Sequence, residues 1–137
     1  MIKVVIVTHG YLAEGLKSST EFIMGKQENL EAIPAYTEEF PRIDDILKKI
    51  IDSGETTLFV TDVFGGSVNN EIEALLPNNP QIRLVCGANL PFLIQLFNSL
   101  MTANIDDAIN SAIKAAKEGI QNCTKVMNSS STSFDSF

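Results

Sequence analysis

The chain has a single histidine, His9, and it stands where an apolar run over residues 2–8 meets Gly10. A buried strand is expected to end there and a helix to begin. In an open parallel sheet ligands bind in the crevice beyond the carboxyl ends of the strands, so an imidazole at that point is well sited for chemistry. A lone histidine serves as readily at the surface or, hydrogen-bonded, in a core. Position singles His9 out, because strand-to-helix turns are open to solvent and their free N–H groups suit an anion. A second polar strand end follows Thr61, in Asp62-Val63-Phe64-Gly65-Gly66-Ser67. Taken alone, Asp62 reads as a turn residue bonding its own backbone, and Gly65-Gly66 as a tight turn. Beside His9 the aspartate acquires a chemical use. By accepting the N–H of one ring nitrogen it fixes the tautomer, and the other nitrogen then faces outward with its lone pair as a nucleophile. The glycine turn and the helix starts at Gly10 and Ser67 offer backbone N–H groups and positive dipole ends, which suit a phosphoryl group better than an acyl group or a sugar.

These residues can meet only if the elements around them form a parallel sheet. The first strand leads into a helix over 12–24, with Leu12, Leu16, Ile23 and Met24 apolar beside Ala13 and Thr20, and Gly25 as its stop. Residues 30–36 form a weaker strand, which Pro34 assigns to an edge. Pro41 is expected to open a helix bearing Phe40, Ile43, Ile46, Leu47, Ile50 and Ile51 at spacings of three and four, with Gly54 beyond it. Residues 57–61 read as a buried strand, and Ser67 as the N-cap of a helix carrying Val68, Ile72, Leu75 and Leu76 that Pro77 stops. A fourth strand over 82–86 precedes Gly87-Ala88-Asn89 and a helix opened by Pro91, with Leu93, Leu96, Phe97 and Leu100 inward. Ile105, Ala108, Ile109, Ala112, Ile113 and Ala116 mark the last helix, closed near Gly119. The order predicts an α/β fold: a doubly wound, mainly parallel sheet with helices on both faces and right-handed crossovers. One edge of such a sheet collects Thr8, His9, Asp62, Gly65, Gly66, Ser67, Gly87 and Asn89. The chain divides into one domain over 1–127 and a polar tail over 128–137.

Composition excludes several classes of function. The 137 residues, 45% apolar and 20% charged, suit one domain with a real core. A net charge of −7 with scattered lysines and arginines argues against nucleic acid as a partner. Cys86 and Cys123 form neither a disulfide framework nor a zinc site, which points to a reducing compartment. With no signal segment and no apolar run near the roughly 20 residues of a membrane helix, the chain is read as cytoplasmic. The G-x-x-x-x-G-K-[ST], G-x-G-x-x-G and G-x-S-x-G motifs are missing, and His9 has no companion ligands for a metal. No cofactor or metal is expected. What remains is a histidine that takes and gives a phosphoryl group without a nucleotide of its own, or a non-enzymatic module whose strand-end pocket holds an anion or metabolite with His9 as a hydrogen-bond donor.

Three motifs in order carry a family resemblance: Val5-Ile6-Val7-Thr8-His9-Gly10 with Ala13-Glu14-Gly15-Leu16, then Thr61-Asp62-Val63-Phe64-Gly65-Gly66-Ser67, then Gly87-Ala88-Asn89-Leu90-Pro91. Over about residues 1–120 the chain is similar to the enzyme IIA component of the mannose family of the bacterial sugar phosphotransferase system. The resemblance implies that His9 is phosphorylated by the phosphocarrier protein HPr and passes the group to a IIB protein, which links it indirectly to membrane IIC and IID subunits. It implies that Asp62 orients His9, with Gly10, Gly65, Gly66 and Ser67 beside the phosphoryl group. It admits a close alternative, a phosphocarrier domain that feeds a dihydroxyacetone kinase. Family members commonly carry Ser-Pro-Phe-Asn after the glycines, where this chain has Ser67-Val68-Asn69-Asn70. A homodimer is also implied, with an exchanged C-terminal edge strand placed at residues 123–127, where Lys125, Val126 and Met127 would cover a sheet edge.

Overall fold

Residues 1–129 are described by a computed structural model. Strand β1 (Lys3–His9) lies inside a four-stranded parallel sheet with β2 (Leu30–Ala35), β3 (Thr57–Thr61) and β4 (Ile82–Val85), in the order β2-β1-β3-β4. Side chains alternate across a strand, so each strand divides its residues between two cores. Val4 and Ile6 of β1 with Leu58 and Val60 of β3 face α1 (Leu12–Met24), α4 (Leu90–Leu100) and α5 (Ile105–Glu118). Val5, Val7 and Phe59 face the other way, onto α2 (Asp44–Asp52) and α3 (Ser67–Glu73). The sheet is therefore doubly wound, as the order of elements predicts. Pro34 sits on the edge strand β2, where a missing N–H breaks no interior ladder.

Local departures from the expected elements have identifiable causes. On α1 the inward stripe is Ala13, Leu16, Thr20 and Met24, while Leu12 and Ile23 are exposed. Pro41 does not open α2. Phe40 pairs with Ala35 as an isolated parallel bridge and accepts from the Tyr36 N–H, so the chain stays outside the helix until Asp44. A proline also disfavours helical backbone at the residue before it. Gly66, not Ser67, occupies the cap of α3, and Ser67 is its first helical residue. Pro77 lies within a 3₁₀ turn (Leu76–Asn78) after α3 has ended. At the end of α5, a Cβ on Gly119 would stand 2.8 Å from Pro91 Cγ and 2.9 Å from its Cβ, so the absence of a side chain lets α5 close on the start of α4.

Residues 123–127 are not a strand. They belong to a short helix, α6 (Cys123–Asn128), whose first turn is fixed by the Asn122 side chain accepting from the Lys125 N–H at 3.2 Å. A lone strand has no ladder partner, whereas a capped turn satisfies its own backbone. Asn128 closes this helix and Ser129 forms a turn, so the tail expected from residue 128 is partly structured; the rest of it lies outside the described residues.

Candidate phosphoryl-transfer site

Parallel pairing of β1 with β3, Val7 opposite Thr61, delivers His9 and Asp62 to neighbouring strand ends. One oxygen of Asp62, Oδ2, accepts both the backbone N–H of His9 at 2.9 Å and the ring Nδ1 at 2.8 Å. The other, Oδ1, accepts the Val63 N–H at 3.1 Å. An ionised carboxylate only accepts, so Nδ1 carries a proton, and in the neutral ring Nε2 is the nitrogen with the lone pair. Ser67 Oγ stands 3.2 Å from Nε2 and supplies the matching O–H. Burial pushes the Asp62 carboxyl up, but the hydrogen bonds from the His9 backbone and ring, the further backbone bond and the nearby imidazole carry it below the usual carboxylate range. The Asp62 side chain is 10% exposed and that of His9 46%, so the orienting group is covered while the ring reaches solvent.

The turn between Asp62 and Ser67 is held from both ends. Thr61, fully buried, donates to Asn69 Oδ1 at 2.7 Å, and Asn70 Nδ2 donates to the Gly65 carbonyl at 3.1 Å. Two neighbouring amides of α3 thus fasten the residue before Asp62 and the glycine turn after it. Gly65 takes a φ of 77°, and the Gly66 Cα lies so near His9 that an added Cβ would be 3.5 Å from its Cε1. On the far side of His9 the Tyr36 ring stands 5.6 Å away, centroid to centroid, tilted by 55°.

Not every residue expected at this edge is available to an anion. The Gly10 N–H is bonded to the Ala35 carbonyl at 3.0 Å and the Gly66 N–H to that of Val63 at 3.2 Å. Thr8 is buried and accepts the Ala13 N–H, capping α1 from the strand. Asn89 caps α4 through the Phe92 N–H and donates to the Ala116 carbonyl, so it ties α4 to α5. The first bond of α3 runs from Asn70 N–H to Gly66, which leaves the N–H groups of Ser67 and Val68 without helical acceptors. Tyr36, Thr61, Asn69 and Asn70 are not marked as site residues by the sequence; the departure at Val68-Asn69 from the family pattern touches only Asn69.

A doubly wound parallel domain with an imidazole oriented at its strand ends belongs among α/β proteins that carry their polar groups on the carboxyl edge of the sheet. Known proteins narrow that class. The family model described as the PTS system fructose IIA component, EIIA-man, matches residues 3–113, and the chain belongs to this family of phosphotransferase system IIA components. It is 28% identical over 130 residues to the fructose-specific EIIA component of Bacillus subtilis, covering 91% of this chain and 88% of that one. It is 28% identical to the mannose-specific EIIAB component of Escherichia coli, where the match takes in 88% of this chain but 39% of the longer protein. Among solved structures, a Klebsiella pneumoniae protein described as a phosphoenolpyruvate-dependent sugar phosphotransferase system permease superposes with a TM-score of 0.84 at 33% identity, covering 92% of this chain and 93% of that one.

Proposed function

We propose that the protein is a histidine phosphocarrier that accepts a phosphoryl group from HPr on His9 and passes it to a IIB protein during sugar uptake. The observation that carries this reading is the clamp on His9: Nδ1 held at 2.8 Å by Asp62 and Nε2 turned toward Ser67. In the forward step the Nε2 lone pair attacks the phosphorus carried by HPr. The new N–P bond forms as the bond from phosphorus to the donor atom of HPr breaks, and the electrons of that bond return to that atom. Nδ1 keeps its proton against Asp62, whose charge offsets the positive charge that develops on the ring. The Ser67 hydroxyl then turns from Nε2 to a phosphoryl oxygen, joined by the N–H groups of Ser67 and Val68. Gly65 and Gly66 shape the turn, and Gly10 links the His9 turn to β2. Transfer onto the histidine of IIB repeats the exchange in reverse.

A protein-sized donor is supported by the surroundings of the ring. The turns beyond β1, β2 and β3 present exposed Tyr11, Tyr36, Val63 and Phe64, the last 80% exposed, more suited to another protein surface than to a small substrate. The reading places the protein in the cytoplasm, where its free cysteines, Cys86 and Cys123, stay reduced. Among the described residues no helix is long and apolar enough to cross a membrane; the proposed link to the membrane IIC and IID subunits is indirect, through IIB. We also place it as a homodimer, since β4 ends the sheet with an unpaired ladder edge among the described residues.

Incubation with enzyme I, HPr and phosphoenolpyruvate tests the reading by intact mass. One acid-labile phosphoryl group is expected, absent from His9→Ala, and discharged by a IIB protein. A protein that stays unlabelled, or a label that survives in His9→Ala, refutes it. Discharge only by a dihydroxyacetone kinase subunit reassigns the acceptor, and metabolite binding without labelling returns the site to a binding module. Light scattering at micromolar concentration checks the dimer.

A further inference from the structure

Tyr36 is the one non-glycine among the described residues with a positive φ, at 63°. In that region a Cβ crowds the backbone, and a bulky aromatic there is an outlier that the surrounding structure must impose. The imposing bonds are visible. The Tyr36 N–H donates to the Phe40 carbonyl at 2.8 Å, and the Thr37 hydroxyl donates to the Pro34 carbonyl at 2.7 Å while accepting the Phe40 N–H at 3.4 Å. Glycine would make the same turn without strain. Instead the sequence places an aromatic ring one residue past Ala35, the register partner of His9, and the strained backbone sets that ring 5.6 Å from the imidazole.

We propose that Tyr36 is a positioning residue for His9. Asp62 and Ser67 hold the two ring nitrogens by one contact each. The Tyr36 ring, 5.6 Å from the imidazole and tilted by 55° to it, resists rotation about the His9 side-chain bonds and keeps water from the nitrogen that would carry the phosphoryl group. At 44% exposure it still leaves the ring edge accessible to a partner. The consequence for transfer rests on the phosphocarrier reading above; the placement of the ring does not.

Three variants separate the ring from the strain. Tyr36→Ala removes the ring and keeps a Cβ at positive φ, Tyr36→Gly removes both, and Tyr36→Phe keeps the ring without its hydroxyl. In the unphosphorylated proteins the Cε1–H and Cδ2–H signals of the single histidine should shift in Ala and Gly as the ring current is lost, and return toward wild type in Phe. Transfer from phosphorylated HPr should slow, or hydrolysis of the phosphoprotein quicken, by about two- to tenfold in Ala and Gly, with Phe restoring the wild-type behaviour. Tyr36→Gly should melt above Tyr36→Ala, because it alone releases the backbone. Unchanged histidine signals in Ala and Gly overturn the placement. Wild-type transfer and hydrolysis in those variants overturn the role, as does a Phe variant as impaired as Ala. Should the wild type itself accept no phosphate, the phosphocarrier reading falls, and the histidine signals alone still decide whether Tyr36 positions the ring.

Discussion

Asp62→Asn is nearly isosteric, yet the structure leaves it no satisfactory orientation. Asp62 faces three donors: the His9 N–H and Nδ1–H on one oxygen and the Val63 N–H on the other. If the amide oxygen of the variant side chain turns to His9, its NH₂ confronts the Val63 N–H; if it turns to Val63, the NH₂ confronts the His9 backbone N–H and invites the imidazole to switch tautomer. Either way a charge-assisted pair of about 1.5–3 kcal/mol is lost. Felt in full at the transition state, that slows phosphoryl transfer by roughly tenfold to a hundredfold. Stability should follow the same carboxylate. Burial raises the Asp62 carboxyl and the bonds from His9 more than reverse it, so its folded value lies below the ordinary one. The stabilisation is therefore complete above the unfolded carboxyl value of about 3.9 and fades as pH falls through the lower folded value. Single-turnover transfer from phosphorylated HPr, followed by intact mass, reads the first effect. Urea unfolding at pH 7 and in acid reads the second, with wild type more stable by about 1–3 kcal/mol at pH 7 and the gap closing in acid. Wild-type transfer rates, or a gap as wide in acid as at neutrality, would show that the carboxylate does not hold the ring.

Two further variants test the scaffold. Thr61→Val removes the hydroxyl that pairs with buried Asn69 and should cost about 1–3 kcal/mol in urea unfolding, while Thr61→Ser restores it; equal stability of the Val variant would dismiss the link as incidental. Gly119→Ala drives a methyl into the Pro91 ring, and a loss of about 1–3 kcal/mol is expected by thermal unfolding, with an unchanged midpoint meaning that α5 and α4 part easily at that point.

How much of this could be read beforehand depended on whether the deciding interaction was local or set by topology. His9 and Asp62 could be paired because parallel strands open on one edge, and that inference needs only the order of elements. Helices α4 and α5 were legible from periodicity, since their apolar stripes face one core. Residues 123–127 were not, because a five-residue apolar and polar mixture fits either period, and the Asn122 cap decided the outcome. Ser67 has the chemistry of an N-cap, and only the approach of His9 across the turn shows that its hydroxyl is engaged elsewhere. Tyr36 carried no signal at all. Its φ is imposed by Phe40 pairing back onto Ala35, a contact that the Pro41 start signal concealed.

A phosphoryl carrier, as proposed for this protein, must hold its group firmly enough to survive transit and loosely enough to give it away, and the composition around His9 suits the second requirement. The turns after β1, β3 and β4, over residues 10–11, 62–66 and 86–89, contain no lysine or arginine. In the longer turn after β2, Arg42 is paired with Asp44 at 2.8 Å. A phosphoryl group on His9 would then be met by a hydroxyl and backbone N–H groups, without the bidentate guanidinium that makes anion sites retentive. Meanwhile Asp62 grips His9 through its backbone and ring at once, so the ring's aim is built into the strand ends and does not depend on contacts with the phosphoryl group itself. On the proposed reading, tight control of the nitrogen combined with neutral contacts to the phosphate would leave an N–P bond on His9 free to exchange in either direction, with the docking partner setting the direction.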